Sequence, residues 1–304
     1  MTRVVLRVTV LAMLFLCGGR LFAACEGVAV QVLGSGGPEM GDKRASSAYL
    51  VWKNGRARAL IDMGGGTALR FEEAGAKVND LDAVLFTHYH VDHSVDFPAL
   101  IKASFFTDRA RDLPVFGPTG NDLMPSTTEF VQALFAQGRG AFRYLGNHLD
   151  RETKSPYKIK PNDVALENSQ AREIFLEQGL KVSAAKVIHG PLPALAFRIE
   201  AAGKSVVISG GTNGEGGLEQ LARGADVLIA HHAVPEGATG VERKLHMPPS
   251  RIGEIAAAAK VKKLVLSHRM LRTVGKEHES QTAIAANYKG PVVFADDLNC
   301  FALQ

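Results

Sequence analysis

Three histidines and an aspartate fall within six consecutive positions, as His88, His90, Asp92 and His93 in the stretch AVLFTHYHVDHSVDF. Neutral imidazole is a good zinc ligand and carboxylate oxygen is another. His88 and His90 are two apart in a loop leaving an apolar strand, so both can point into one pocket. Four ligands on so short an arc exceed what one tetrahedral ion takes from a single segment. The spacing therefore suggests two neighbouring ions, each completed by residues from elsewhere. The competing reading is a solvated polar loop, which the density of ligand types at a strand end disfavours.

The surrounding pattern supplies strands and helices to position such a site. LDAVLFTH is a buried strand that ends at the cluster. Before it, GVAVQVLGS and SSAYLVWKNGRARALIDMGGG read as strands, with turns at Asn54-Gly55 and at the glycine run. GTALRFEEAGA and DFPALIKASFF read as helices. A further helix starts at Ser126 or Thr127 as N-cap, with Glu129 close behind, and stops at Gly138. The segment 139–182 is polar and mixed, with the strand-like AREIFLEQGLKVSAAKVIH at its end. After it come a hairpin turning at Ala202-Gly203, a helix in GGLEQLARGA, the strand DVLIAHH, a proline-led helix and the strand KKLVLSH, which ends at His268. Gly34–Gly37 reads as a tight turn lining the pocket, since no helix follows promptly enough to cradle a phosphate. Strands precede helices repeatedly, which predicts an α/β fold with helices packed outside two sheets. Polar clusters at His88–His93, Gly210–Asn213 and His268 all end apolar strands, where ligand sites in layered α/β folds collect.

The chain of 304 residues is 46% apolar and 22% charged, ordinary for a globular protein. Residues 1–24 differ from the rest: a short basic start, an apolar run too short to span a bilayer comfortably, and small residues before Cys25. They read as a secretory signal peptide, leaving 25–304 as one domain in the periplasm or secreted. A lipoprotein with Cys25 acylated is a minority reading, because Phe22 fits poorly. Losing Arg3, Arg7 and Arg20 with the leader lowers the net charge from +4 to +1. Near-neutral charge gives no electrostatic case for nucleic acid. Partners are thus expected to be a small-molecule ester, with no nucleic acid, no stable membrane association after cleavage, and a possible homo-oligomer. Cys25 and Cys300 then remain, either bridged in an oxidising compartment or unpaired.

The His-x-His-x-Asp-His pattern resembles that of the metallo-β-lactamase-fold hydrolases. LIDMGGG, VIHGPLPALAFRIEAAGKSVVISGGTNG and KLVLSH follow in that family's order and spacing. VLGSGGPEMGDKRASSAYLV, DRARDLPVFGPTGNDLMP and KLHMPPSRIGEIAAAA resemble the branch holding bacterial arylsulfatases and tRNase Z, the first two being closest to the arylsulfatase-like members. The resemblance implies an αββα sandwich, two mixed sheets flanked by helices. It implies zinc, one or two ions per chain: His88, His90 and His189 match the ligands of the first, and Asp92, His93 and His268 those of the second. Asp62 matches an aspartate that orients a ligating histidine. Asp92 and His246 match catalytic positions, the first orienting metal-bound hydroxide and the second donating a proton to the leaving group.

The implied activity is metal-assisted hydrolysis of sulfate or phosphate esters by an exported, arylsulfatase-like enzyme, in which the ion makes hydroxide available near neutral pH. A lactonase or β-lactamase of the same fold is the alternative, and the leader and charge disfavour tRNA processing. The chain departs from the family at one place. The family's Ser-Gly-Asp-Thr, whose aspartate bridges the metals, here reads Ser209-Gly210-Gly211-Thr212. Glu215 or a water could substitute. The expectation is weaker binding of at least one metal, zinc remaining on His88, His90 and His189, and low or lost turnover. His231 and His232 match no ligand and are expected to be supporting or structural, and His148 and His278 to lie on the surface.

Overall fold

The computed structural model describes residues 25–303. The expected leader, residues 1–24, lies outside them. Fourteen strands form two seven-stranded sheets. The first holds β1 (Val28–Gly34), β2 (Ala48–Lys53), β3 (Arg56–Ile61), β4 (Ala83–Leu85), β5 (Leu113–Pro118) and β6 (Ile159–Val164). The second holds β7 (Arg172–Glu177), β8 (Leu180–His189), β9 (Leu192–Ala201), β10 (Lys204–Ile208), β11 (Val227–His231), β12 (Lys263–Ser267) and β13 (Val292–Phe294). The last strand, β14 (Cys300–Ala302), returns to the free edge of β1. β6 arises in the polar part of the mixed segment, and β7 opens the strand-like stretch at its end although none of its residues is buried.

Each sheet is half antiparallel and half parallel. β1, β2 and β3 are antiparallel neighbours, and β3 to β6 run parallel. β7 to β10 are antiparallel, and β10 to β13 run parallel. The parallel halves send the carboxyl ends of β4, β11 and β12 toward the site, where His88–His93, His231 and His268 sit, and His189 ends β8 in the antiparallel half.

Helices cover the outer faces. α1 (Thr67–Glu73), α3 (Phe97–Ser104) and α4 (Thr127–Phe135) carry Phe71, Phe97, Ile101, Val131 and Phe135 into a core against the first sheet. α5 (Leu218–Leu221), α7 (Pro249–Ala258) and α8 (Glu277–Ala285) bury Leu218, Ile252 and Ile284 against the second. A third core lies between the sheets, built from Val30, Val32, Ile61, Leu85, Phe197, Ile208 and Ile229 among others. Two mixed sheets between helical layers are the αββα sandwich. α4 opens with a capping box: Ser126 Oγ accepts from Glu129 N and Glu129 returns a bond to Ser126 N, satisfying two donors that the helix leaves unpaired.

Cys25 and Cys300 are joined by a disulfide, with Cα atoms 6.1 Å apart and a sequence separation of 275. It ties the start of the described chain to β14. No helix among the described residues is long and apolar enough to cross a membrane.

Candidate metal centre

The loop after β4 and the short helix α2 (Val91–Ser94) carry the histidine cluster. α2 packs so tightly on the end of β3 that a Cβ on Gly64 would lie 2.1 Å from Asp92 O. Glycine is required there, and the glycine run of LIDMGGG is thereby explained. Just before it, Asp62 adopts a left-handed φ of 57°. Asp tolerates that region better than most residues, yet it costs energy and persists only where neighbours fix it. Asp62 N donates to Leu85 O at 2.8 Å, and its carboxylate is fully used. Oδ1 accepts from Thr87 N at 2.7 Å, while Oδ2 accepts from Thr87 Oγ1 and from His93 Nδ1, both at 2.8 Å.

These bonds set tautomers. With Nδ1–H donating to Asp62, Nε2 is the His93 nitrogen left to bind a cation in place of its proton. Thr87 Oγ1 gives its proton to Asp62 and can accept one from His88 Nδ1, 3.0 Å away, so His88 Nε2 carries no proton and faces His90 Nδ1 at 3.0 Å. His189 Nδ1 faces the carbonyl of Leu245 at 2.8 Å, which again frees Nε2. Leu245 ends α6 (Gly240–Leu245), so that short helix positions a ring on the distant β8.

The imidazoles gather into two groups. His88, His90 and His189 bring one ring nitrogen each within 4.8 Å of one another, and His93, His231 and His268 do the same. The groups adjoin: the His88 and His93 ring centres are 4.1 Å apart. Asp92 Oδ2 stands 3.4 Å from His93 Nε2 and 3.3 Å from His268 Nε2. His88, His90, Asp92, His246 and His268 share one cleft of about 330 Å3, with Arg272 at its wall.

Electrostatics separate the groups. Burial pushes His88 far below the ordinary imidazole range, and the adjoining His93, His189 and His90 add to it. Burial likewise lowers His189 to about 4 and lowers His90. Burial opposes charge on His93 too, but Asp62 and Asp92 overcome it and raise the ring to about 10. Burial also opposes ionisation of Asp92, and the flanking His93 and His268 outweigh it, holding the carboxyl well below its usual range. Two carboxylates that favour a proton there favour a cation equally.

The residues fit a metal. His93 Nε2, His189 Nε2, both nitrogens of His231 and Nδ1 of His268 are buried without a hydrogen-bond partner. Buried polar atoms without partners are rare and each costs about 1–3 kcal/mol. Five such atoms in two adjoining groups, all imidazole nitrogens, are the donor set of a soft-to-borderline cation such as zinc.

Every ligand expected from the sequence is brought to this cleft: His88, His90 and His189 in one group, Asp92, His93 and His268 in the other, with Asp62 behind them. His246 lies between the groups, its ring 5.2 Å from His189 and 5.4 Å from His268. Burial, together with the nearby His268 and His189, keeps it far below the ordinary imidazole range. Ser35, in the turn at 34–37, accepts from Arg269 N at 2.8 Å and so braces His268, whose φ is 52°. Glu215 is exposed and belongs to neither group, so it does not replace the missing carboxylate. Thr87 and Leu245 were not signalled by sequence, because both act through contacts across the fold.

Two readings change. His231, set aside in the sequence as supporting or structural, is a member of the second group; His232 beside it does bond structurally, Nε2 to Ser280 Oγ at 2.8 Å. His148 is buried rather than on the surface, with Ser155 Oγ 2.9 Å from its Nδ1, and belongs to neither group.

Sandwich and site define the class: the chain belongs to the metallo-beta-lactamase superfamily, which it matches over residues 41–268. Together they define a metal-dependent hydrolase of this fold. Among known proteins it is similar to ribonuclease Z of Mycobacterium sp. (strain KMS), 31% identical over 288 residues, covering 90% of this chain and 95% of that one. Its fold is similar to human tRNase Z, short form, with a TM-score of 0.68 at 19% identity, covering 91% of this chain and 98% of that one. It is also similar to a diphosphatase from the PhnP family, with a TM-score of 0.61 at 19% identity, covering 91% and 98%.

These relatives are ribonucleases and a diphosphatase rather than arylsulfatases. They also correct the expected partners. The exclusion of nucleic acid in favour of small-molecule esters rested on net charge, and enzymes named for RNA cleavage match this chain over nine-tenths of its length. Net charge averages over the surface and does not report the local field at a cleft where Arg272 stands with His88, His90, His246 and His268 beside Asp92 and Glu242.

Proposed function

We propose that this chain is an exported metallohydrolase of phosphodiesters, with RNA within its substrate class. The observation that carries the reading is the pair of adjoining three-histidine groups, with Asp92 beside the second. The ribonuclease Z likeness supports the phosphodiester over the sulfate ester. The Cys25–Cys300 disulfide supports an oxidising compartment, and so the leader assigned to residues 1–24.

His88, His90 and His189 would hold one ion and Asp92, His93 and His268 the other. Bound zinc supplies a Lewis acid for the phosphoryl oxygens and lowers the pKa of water toward about 7. The chain does the rest. Asp62 locks the free nitrogen of His93 toward the cleft, directly, and that of His88 through Thr87. Asp92 is held so acidic that it serves as an acceptor that orients the attacking water rather than as a strong base. Arg272, its Nε fixed on Ala233 O at 2.6 Å, puts a permanent positive charge at the cleft wall for an anionic substrate. His246 sits where a leaving group departs; it is neutral in the free cleft and gains proton affinity once an anion enters.

The test is a comparison of zinc-loaded protein on bis(p-nitrophenyl) phosphate, p-nitrophenyl sulfate and a 3′-extended tRNA. The expected result is cleavage of the phosphodiester at least about 100-fold faster than the sulfate, a gap of about 2.7 kcal/mol in barrier. Faster sulfate hydrolysis overturns the reading, and no cleavage of any of the three supports a metal-binding chain with little turnover.

A further inference from the structure

We propose that His231 is a metal ligand, and that the second ion is held by Asp92, His93, His231 and His268 with no carboxylate bridging it to the first. The proposal rests on the metallohydrolase reading above and concerns how this chain builds the site without a side chain at 211.

His231 ends β11 with its ring packed among ligand rings, 4.5 Å from His268 and 5.4 Å from His93 between centres. It is 1% exposed, and neither ring nitrogen has a hydrogen-bond partner. A core histidine kept for packing settles at least one nitrogen, as His232 does next door on Ser280. The backbone also favours a fixed ring: His231 N donates to Ser209 Oγ at 3.2 Å, so the strand end is pinned to the very Ser-Gly-Gly-Thr loop that lacks its aspartate. Asp92 and three imidazoles make four ligands, the number a tetrahedral zinc takes.

Gly211 shows why the replacement comes from elsewhere. A Cβ built there would lie 2.6, 2.7 and 3.0 Å from three atoms of the His189 ring. The volume a side chain at 211 needs is held by His189, which Leu245 O keeps in place. A carboxylate cannot return to 211 without moving that ring. An imidazole from β11 meets the second group from the other side and leaves the first undisturbed. The exchange of carboxylate for imidazole leaves Asp92 as the one carboxylate within salt-bridge distance of the described ligand rings besides Asp62 behind His93.

The experiment is zinc content and affinity of the full chain, for wild type, His231→Gln and His232→Gln, with zinc-edge anomalous scattering from crystals of zinc-loaded wild type. The expected result is two zincs in wild type and in His232→Gln, and at least 10-fold weaker binding of one zinc in His231→Gln. The anomalous map is expected to place an ion about 2.0–2.1 Å from a His231 ring nitrogen. Two zincs of unchanged affinity in His231→Gln, or an ion on His93 and His268 more than 3 Å from His231, overturns the proposal and leaves the metallohydrolase reading standing. No zinc in wild type overturns both. The map needs no substitution, so it decides even where His231→Gln fails to fold.

Discussion

The two histidine groups are built from the same side chain and hold it in opposite ways. His88, His90 and His189 have no carboxylate among them; their rings are oriented by Thr87 Oγ1 and the Leu245 carbonyl, and burial makes them neutral. His93 is clasped between Asp62 and Asp92, which raise it to about 10 despite burial. The first group is a set of lone pairs waiting on a cation; the second is a negative hole lined with imidazoles. A dication gains roughly twice what a proton gains from a given carboxylate field. The second group should therefore be the tighter site, the reverse of what the missing aspartate at 211 suggested from sequence alone.

The largest effect that can test this contrast is removal of metal. Stripping both ions is expected to lower phosphodiester hydrolysis by about 1000-fold, equivalent to several kcal/mol of lost transition-state stabilisation. A chelator titration should show two phases. His88→Ala should abolish the weaker phase and His93→Ala the tighter one. The opposite assignment would mean that ligand geometry, and not carboxylate charge, ranks the sites.

Asp62→Asn attacks the contrast at its source. It keeps the volume and removes the charge behind His93. Zinc affinity at the tighter phase should fall by about 10–100-fold, as is usual for partners that orient ligating histidines. An equal loss in both phases would show that Asp62 serves the two groups alike.

Gly211→Asp separates packing from charge. If carboxylate were all that the site lacked, binding would tighten. The His189 ring occupies the space of the new Cβ, so the weaker phase is expected to weaken further, by about 10-fold, with the tighter phase little altered. Tightening of both would show that His189 swings aside at little cost.

Of the first group, His88 and His90 stand out in the sequence because they share a strand end, and His189 joins them there only through the family resemblance. It carried the second group only in part. β11 is buried along its whole length, so no alternation tells which of His231 and His232 faces the cleft. Only the register with β12, pairing His231 with Ser267, sets it beside His268. The sandwich was legible from strand-then-helix order, and β7 lies within the strand-like stretch 171–189, whereas β6 was not legible, because only Ile159 and Val164 at its ends are buried.

Thr87→Val asks whether the two groups are independent at all. Thr87 is fully buried between them, donating to Asp62 and standing 3.0 Å from His88 Nδ1, so the carboxylate that clasps the second group reaches the first through one hydroxyl. Valine keeps the shape and removes that hydroxyl. Asp62 loses one of its three bonds, and His88 loses the acceptor that fixes its tautomer. A lost buried hydrogen bond is worth about 1 kcal/mol, or about 5-fold in an equilibrium constant. Zinc affinity should fall by about that factor in both phases, measured by chelator competition. A loss confined to the weaker phase would mean that Asp62 holds His93 without help from Thr87, and the groups would then meet only through ring packing of His88 on His93.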